Sequence, residues 1–452
     1  MLQGILKYFT AGADAPPLRD RATVDALYRR HRVRIMVAIT LGYGLIYTCR
    51  LALGVVKKPL IDAGIFSPVD LGTIGSALFY TYAIGKLSNG FLADHANMKR
   101  FLAVTFLASA LCNLAMGATT TVTLAAILWG LNGWFQSAGA PGGVVAMAHW
   151  ISNRERGRAY GLWSTAHSIG EGLTFVLVGG IVALWGWRWG FWAPGAIGVL
   201  VAIGCYWLIQ DRPQTLGLPP VNEWKGDSYG TAANLPERPG PKAVLSLQLS
   251  ILKIPAIWVL CVSSALNYVT RYAINSWGVL YLQEARGFSL PAAGSLLMLN
   301  TLAGIVGAIA FGLVSDKLFD SRRPPANLLF GLAEIAGLLL VFFGPANMAT
   351  LVAGMLLFGL GMTGLVTSLG GLFAVDIAPK RAAGAAMGVI GIFSYLGAGI
   401  QEQVSGLLIQ HGMTVVDGVR HYDFTHAIGF WVGCSVLATV LSASLWRTRL
   451  RD

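Results

Sequence analysis

The chain has 452 residues, 55% of them hydrophobic and only 12% charged, with a mean hydropathy of +0.62 and a formal net charge of +12. So low a charged share excludes a water-soluble globular protein and predicts an all-α integral membrane protein. The positive excess does not mark a nucleic-acid binder, because the basic residues sit in short loops between apolar runs.

Residues 1–34 read as a polar tail ending in "YRRHRVR", without a signal-peptide pattern. A span needs about 20 mostly apolar residues. On that measure twelve transmembrane helices are predicted, over 35–56, 71–93, 101–118, 122–148, 158–184, 189–209, 255–283, 291–314, 326–343, 347–372, 382–410 and 425–446. The long polar loop 210–253, rich in Pro and Gly ("DRPQTLGLPP", "LPERPGPK"), reads as a cytoplasmic linker between two six-helix halves, 35–209 and 254–446. A short tail, 447–452, follows. Of 33 lysines and arginines, 25 fall on the side of the tails and five on the other, which predicts both termini in the cytoplasm. The 56 glycines suit close helix contacts in lipid. Cys49, Cys112, Cys205, Cys261 and Cys434 each fall in a predicted span and read as small buried hydrophobes, with no disulfide framework and no metal-ligand spacing.

The halves repeat. "GFLADHANMKR" (Gly90 to Arg100) follows span 2, and "GLVSDKLFDSRR" (Gly312 to Arg323) follows span 8, 222 residues on from Gly90 to Gly312. "RERGRAYG" follows span 4 and "KRAAGAAMG" follows span 10. Two parallel six-helix repeats match the major facilitator arrangement, whose substrate site lies near the midplane between the halves. The Gly-x-x-x-Asp loops resemble the signature loop of that superfamily. Gly90, Asp94 and Arg100, with Gly312, Asp316, Arg156 and Arg381, are expected to form a cytoplasmic gate in which the aspartates pair with basic residues.

Apart from Arg158 at the edge of one span, only Arg50, Lys86 and Arg271 lie inside the predicted spans as cations. Each costs about 2.5–3.5 kcal/mol at a helix centre, so each should face a wet cavity and meet an anion. Arg50 and Arg271 stand in the duplicate stretches "YTCRLA" and "YVTRYA", 221 residues apart. Helical spacing puts Tyr43, Tyr47 and Arg50 on one face, and pairs Tyr82 with Lys86 and Trp163 with His167. It also predicts that Asn267, Tyr268 and Arg271 share a face. Two facing guanidiniums can clamp a phosphate by paired hydrogen bonds, with Lys86 and His167 as further donors.

At these residues the chain resembles the organophosphate:phosphate antiporter family, the bacterial glycerol-3-phosphate and hexose-6-phosphate transporters. The motifs are "YRRHRVRIMVAITLGYGLIYTCR", "YAIGKLSNGFLADHAN", "NGWFQSAGAPGG", "NRERGRAYGLWSTAHSIG" and "DRPQTLGLPPVNEW". Three more, "NYVTRYAINSWGVLYL", "GLVSDKLFDSRRPPANLLF" and "AAGAAMGVIGIFSYLGA", most resemble the hexose-phosphate branch, including its receptor-like sensor of external glucose 6-phosphate. The resemblance implies that Arg50 and Arg271 bind the phosphate, that Lys86 and His167 stand near it, and that Tyr43, Tyr47, Tyr82, Trp163 and Tyr395 line the cavity. It implies a monomeric carrier in the bacterial inner membrane, exchanging a hexose 6-phosphate for inorganic phosphate. The alternatives are a sugar-phosphate sensor signalling to a histidine kinase and a proton-coupled carrier of another anion.

The chain departs from the family at Leu51, where relatives carry Lys, at Val145, where many carry a basic residue, and at Glu171, where a second glycine is usual. Glu171 is four residues from His167. It is expected to pair with that histidine, to select a substrate with a positive group, to couple protons, or to serve only structure. Glu334 and Glu402 read as structural. Nothing in the loops carries a nucleotide motif, a nucleophile or paired catalytic carboxylates, so neither an enzyme nor a bound cofactor or metal is expected.

Overall fold

A computed structural model describes residues 8–227, 249–379, 382–417 and 419–447. Among them the helices form twelve columns. The first half comprises α1 (Arg21–Ile46) and α2 (Thr48–Asp62) as one column, then α3 (Pro68–His95) and α4 (Met98–Met116). It continues with α5 (Val122–Gln136) and α6 (Gly139–Trp150) as one column, α7 (Asn153–Trp185) and α8 (Trp189–Leu208), with a short α9 (Val221–Trp224) beyond. The second half comprises α10 (Pro255–Tyr272) and α11 (Gly278–Glu284) as one column, then α12 (Leu290–Leu318) and α13 (Arg323–Phe343). It closes with α14 (Met348–Thr367) and α15 (Phe373–Ile377) as one column, α16 (Ala383–His411) and α17 (Thr425–Ser444). Nine columns among the described residues are long and apolar enough to cross a membrane. The other three are α3, which carries Asp70, Lys86 and Asp94, the broken column α5–α6, and α10–α11 with its polar middle.

Local chemistry sets the helix ends. Ser67 and Asp70 form a reciprocal capping box with Pro68 in the first turn of α3, and Asn97 caps α4 by accepting from the Arg100 amide. Several ends differ from the sequence expectation. Helix α1 starts at Arg21, so the polar tail predicted to run to residue 34 is helical over its second part. Residues 8–20 and 211–227 are also not loose. Asn97 donates its amide to the Phe9 carbonyl, Leu18 to that of Gly217, and Tyr28 stacks on Trp224 at 4.1 Å. The first part of the predicted linker is thus a cap on the first half, and residues 228–248 lie outside the described residues. Beyond α16, Met413–Val416 and Val419–Tyr422 form an antiparallel hairpin, Met413 opposite Tyr422, in what was predicted as loop.

The halves meet along two seams, α3 against α16 and α7 against α12. A Cβ at Gly406 would lie 2.5 Å from the Pro68 carbonyl oxygen, and one at Gly72 would lie 2.6 Å from that of Glu402. In the second seam a Cβ at Gly294 would lie 2.4 Å from the Phe175 carbonyl oxygen, and one at Gly172 would lie 2.5 Å from Thr301 Oγ1. Further along both helix pairs contact ends. Gly384, Gly388 and Gly90, and likewise Gly157, Gly161 and Gly312, have nothing within 4 Å of an added Cβ. The two halves are therefore sealed at one end and parted at the other, the wide end, which carries residues 8–20 and the cap.

Candidate functional site

The column α1–α2 breaks at Tyr47, whose amide bonds to Gly44 while its carbonyl accepts from Arg50 and Leu51. The break lies where α1 touches α7, because a Cβ at Gly170 would fall 2.0 Å from the Gly44 carbonyl oxygen. Close backbone approach at this point sets Tyr47 beside His167, ring centroids 6.1 Å apart.

Arg50 follows the break, in the first turn of α2, and is 3% exposed. Its Nη1 donates to the Tyr47 hydroxyl at 3.3 Å, and its Nη2 to the hydroxyls of Tyr272 (3.3 Å) and Tyr395 (3.0 Å). The guanidinium carbon lies 4.2 Å from the Tyr82 ring centroid. No carboxylate pairs with it among the described residues, and its buried Nε has no partner there. Phenols and ring faces stabilise a cation only weakly compared with an ionised partner. Arg50 is a buried charge that the protein leaves without a counter-ion.

Arg271 differs. Its Nη2 donates to Glu171 Oε2 at 2.8 Å, and Asn275 Nδ2 donates to the other carboxylate oxygen. Arg271 and Asn275 belong to the second half and Glu171 to α7 of the first, so this ion pair crosses between the halves. It corrects one expectation for Glu171: no hydrogen bond joins it to His167 among the described residues. His167 instead sets Nδ1 against the Ser164 carbonyl and Nε2 3.3 Å from Ser168 Oγ. A cavity of about 10 Å³, lined by His167, Ser168, Glu171, Arg271, Asn275, Asn300, Thr301, Met362 and Thr363, lies beside the pair. A second of the same size adjoins Arg50 and is lined by Tyr272, Asn275, Ser276 and Glu402 among others. Asn275 belongs to both.

The remaining aromatic residues gather around these charges. Trp163 stacks on Tyr43 at 5.0 Å and donates its indole N–H to the Ile39 carbonyl. Tyr395 lies 4.3 Å from Tyr82 and 5.5 Å from Tyr268. Lys86 sits at the margin, its Nζ 5.3 Å from the Tyr395 ring and close to Gly391. Asn267 is not part of the cluster. It donates to Glu334 Oε2 at 3.1 Å, and Ser435 donates to Oε1, so Asn267 serves a buried link between α10, α13 and α17. It stands four residues before Arg271, as the spacing predicts, but its side-chain amide is taken up by Glu334 within the second half. A larger cavity, about 620 Å³, lies elsewhere, in an open groove between residues 14–24 and 214–224. It holds no buried charge and is not the site.

Three participants escaped the sequence reading. Tyr272 and Asn275 flank or occupy a π turn, Ala273–Trp277, between α10 and α11, where one helix was predicted. Such a turn shifts the helix register and aims neighbouring side chains at one site. Asn275 stands four residues after Arg271, so the spacing rule could have found it. The third is Lys57, which falls one residue past the first predicted span. It is 0% exposed, pairs with Glu402 at 2.7 Å, donates to Ser276 Oγ at 2.8 Å and lies 3.3 Å from the Trp277 ring centroid. Glu402, expected to be structural, is its partner from the opposite half.

At the wide end Asp316 pairs with Arg323, which also pairs with Asp376, all within the second half. Asp94 is exposed, with no ion pair among the described residues, and Arg100 donates to the Tyr8 carbonyl instead of joining Asp94. Arg156 donates to the carbonyls of Ala148 and Ile151. Among the described residues the expected pairing of the loop aspartates with basic residues is thus present for Asp316 and lacking for Asp94. Arg381 lies outside the described residues.

The profile of the Major Facilitator Superfamily matches residues 39–401. The Membrane sensor protein UhpC of Escherichia coli K12 is 35% identical over 88% of this chain and 90% of its own. The glycerol-3-phosphate transporter of Bacillus subtilis is 31% identical over 96% of each chain. A probable hexose phosphate transport protein of Chlamydia pneumoniae is 32% identical over 87% and 88%. Among solved structures, a bacterial homolog of the human lysosomal transporter Spinster superposes with a TM-score of 0.75 at 16% identity, over 92% of this chain and 97% of the other, a likeness of fold. With that profile over most of its length and these relatives at 31–35% identity, the chain belongs to the organophosphate transporter family of the major facilitator superfamily.

Proposed function

We propose that this protein is an inner-membrane antiporter that takes up an organophosphate, foremost a hexose 6-phosphate, and releases inorganic phosphate. The observation that carries the reading is Arg50, a buried guanidinium with no acidic partner among the described residues and an orphaned Nε. A phosphate oxygen pair satisfies that fork, and a buried cation left unpaired is costly enough to select for an anionic ligand. The Tyr47, Tyr82, Tyr272 and Tyr395 rings give the organic part apolar walls and hydroxyls, while Lys86 and His167 add donors at the margin. The relatives named as hexose phosphate and glycerol-3-phosphate transporters support the same class of cargo.

The wide end faces the cytoplasm in this reading, supported by the excess of basic residues on that side. Phosphate enters the parted side, neutralises Arg50 and draws the halves together there. The sealed side then opens, its Lys57–Glu402 link breaking as the halves rock. The loaded carrier reorients faster than the empty one because its guanidinium is no longer bare, and exchange follows. The test is a competition panel in proteoliposomes, in which glucose 6-phosphate, glycerol 3-phosphate, phosphoglycerate and phosphocholine compete for labelled hexose phosphate uptake. Glucose 6-phosphate should compete best, and Arg50→Lys should abolish uptake. Equal uptake by Arg50→Lys removes Arg50 from the site.

A second reading is favoured by the relatives named membrane sensor protein, at 34–35% identity. A sensor uses the same pocket but need not complete the cycle. It would bind glucose 6-phosphate without moving it across the bilayer.

A further inference from the structure

We propose that Glu171 is a built-in counter-anion, which takes the place of the cargo's phosphate on Arg271 when the site is empty and so determines how strictly the protein exchanges. This rests on the proposed phosphate cargo. The two arginines are not alike in the empty protein. Arg50 touches only phenols, whereas Arg271 already holds a carboxylate at 2.8 Å. Both oxygens of that carboxylate are used, by Arg271 and Asn275, and the side chains of Arg271 and Glu171 are 14% and 6% exposed. Glu171 is therefore not waiting for a cation from outside. It occupies the position in which a phosphate would bridge the halves.

The placement is suited to this. Glu171 comes from α7 and Arg271 from α10, in opposite halves, and the neighbouring Gly172 is seated against Thr301 Oγ1 of α12 at a Cβ distance of 2.5 Å. Thr301 lines the same small cavity as the ion pair. The pair thus sits where the halves stay in contact, at the inner limit of the parted region. There the relative displacement on rocking is least, and a short ion pair survives it. Obligatory exchange needs an empty carrier that cannot reorient, and two bare buried guanidiniums would supply that barrier. With Glu171 on Arg271 only Arg50 stays bare, so the empty carrier crosses more readily and net flux accompanies exchange. Phosphate must also compete with Glu171 for Arg271, so affinity is lower than two free arginines would give.

The experiment uses purified full-length protein in proteoliposomes loaded with radiolabelled inorganic phosphate. Two rates are read: exchange, with phosphate on both sides, and net efflux into phosphate-free medium. Wild type should show net efflux within about tenfold of exchange. Glu171→Gln should lower the ratio of net efflux to exchange by about tenfold or more, and should tighten phosphate binding measured by calorimetry by about tenfold. Glu171→Asp, which keeps the charge, should return the ratio toward wild type. An unchanged or raised ratio in Glu171→Gln, with unchanged phosphate affinity, overturns the proposal. If Glu171→Gln does not reconstitute, Asn275→Ala must shift both readouts in the same direction, and no shift is equally fatal. A wild type that binds phosphate but does not exchange it refutes the transport reading alone. Glu171 is then judged on binding, which the Gln variant must still tighten.

Discussion

Lys57 and Glu402 join the halves at the sealed end, and neutralising one of them should open that end. The pair is 2.7 Å long, with side-chain exposures of 0% and 1%. Glu402→Gln leaves the Lys57 ammonium buried with only Ser276 Oγ and the Trp277 ring. Removing one partner of a buried pair costs about 3–5 kcal/mol. The surviving serine and indole contacts put this case at the lower end, about 3 kcal/mol. The cost falls on the sealed form, because parting the halves lets Lys57 meet water. The equilibrium between sealed and open should therefore shift by about two orders of magnitude toward open. Lys57→Met with Glu402→Gln removes both charges and should restore most of the sealed population. Spin labels at Ala63→Cys and Ala285→Cys, both exposed at the sealed end in opposite halves, report the change as a longer distance. The five native cysteines are buried, which keeps labelling selective. An unchanged distance distribution in Glu402→Gln, or a double variant as open as the single one, would show that this pair does not hold the sealed end.

Other substitutions separate packing from binding. Gly72→Ala forces a methyl to 2.6 Å from the Glu402 carbonyl oxygen, an overpacking cost of about 1–3 kcal/mol borne by the sealed form; transport should fall and the same labels should move apart. Arg50→Lys keeps the charge but loses the fork, so phosphate affinity measured by calorimetry should drop about tenfold to a hundredfold, with the protein still monodisperse. Trp224→Ala removes the stack on Tyr28 and the indole bond to Asp25, both far from Arg50. It should destabilise the protein by about 2–4 kcal/mol in a thermal melt, and leave phosphate affinity unchanged.

Much of the architecture is legible in one dimension because lipid imposes it. Apolar runs of span length, separated by basic loops, define the columns, and the duplicate Tyr-x-x-Arg-x-Ala stretches mark the repeat. Arg50, Tyr47, Tyr82 and Tyr395 come together as the spacing and the family likeness suggest. The failures share a cause, which is that helical spacing reports a face but not what that face meets. Asn267 turned into its own half toward Glu334, and Glu171 found its partner on the opposite half rather than four residues back. Lys57 read as a loop charge because α2 continues past the apolar run to Asp62, and only Glu402 from α16 makes its burial tolerable. The π turn after Tyr272 has no periodic signature, so Tyr272 and Asn275 were missed with it.

Counter-transport is the property on which the exchange mechanism depends. Proteoliposomes carrying the wild-type protein should take up labelled glucose 6-phosphate several-fold faster when loaded with inorganic phosphate than when loaded with an inert anion, and Arg50→Lys should remove the acceleration. Uptake that ignores internal phosphate and follows an imposed pH gradient instead would contradict it.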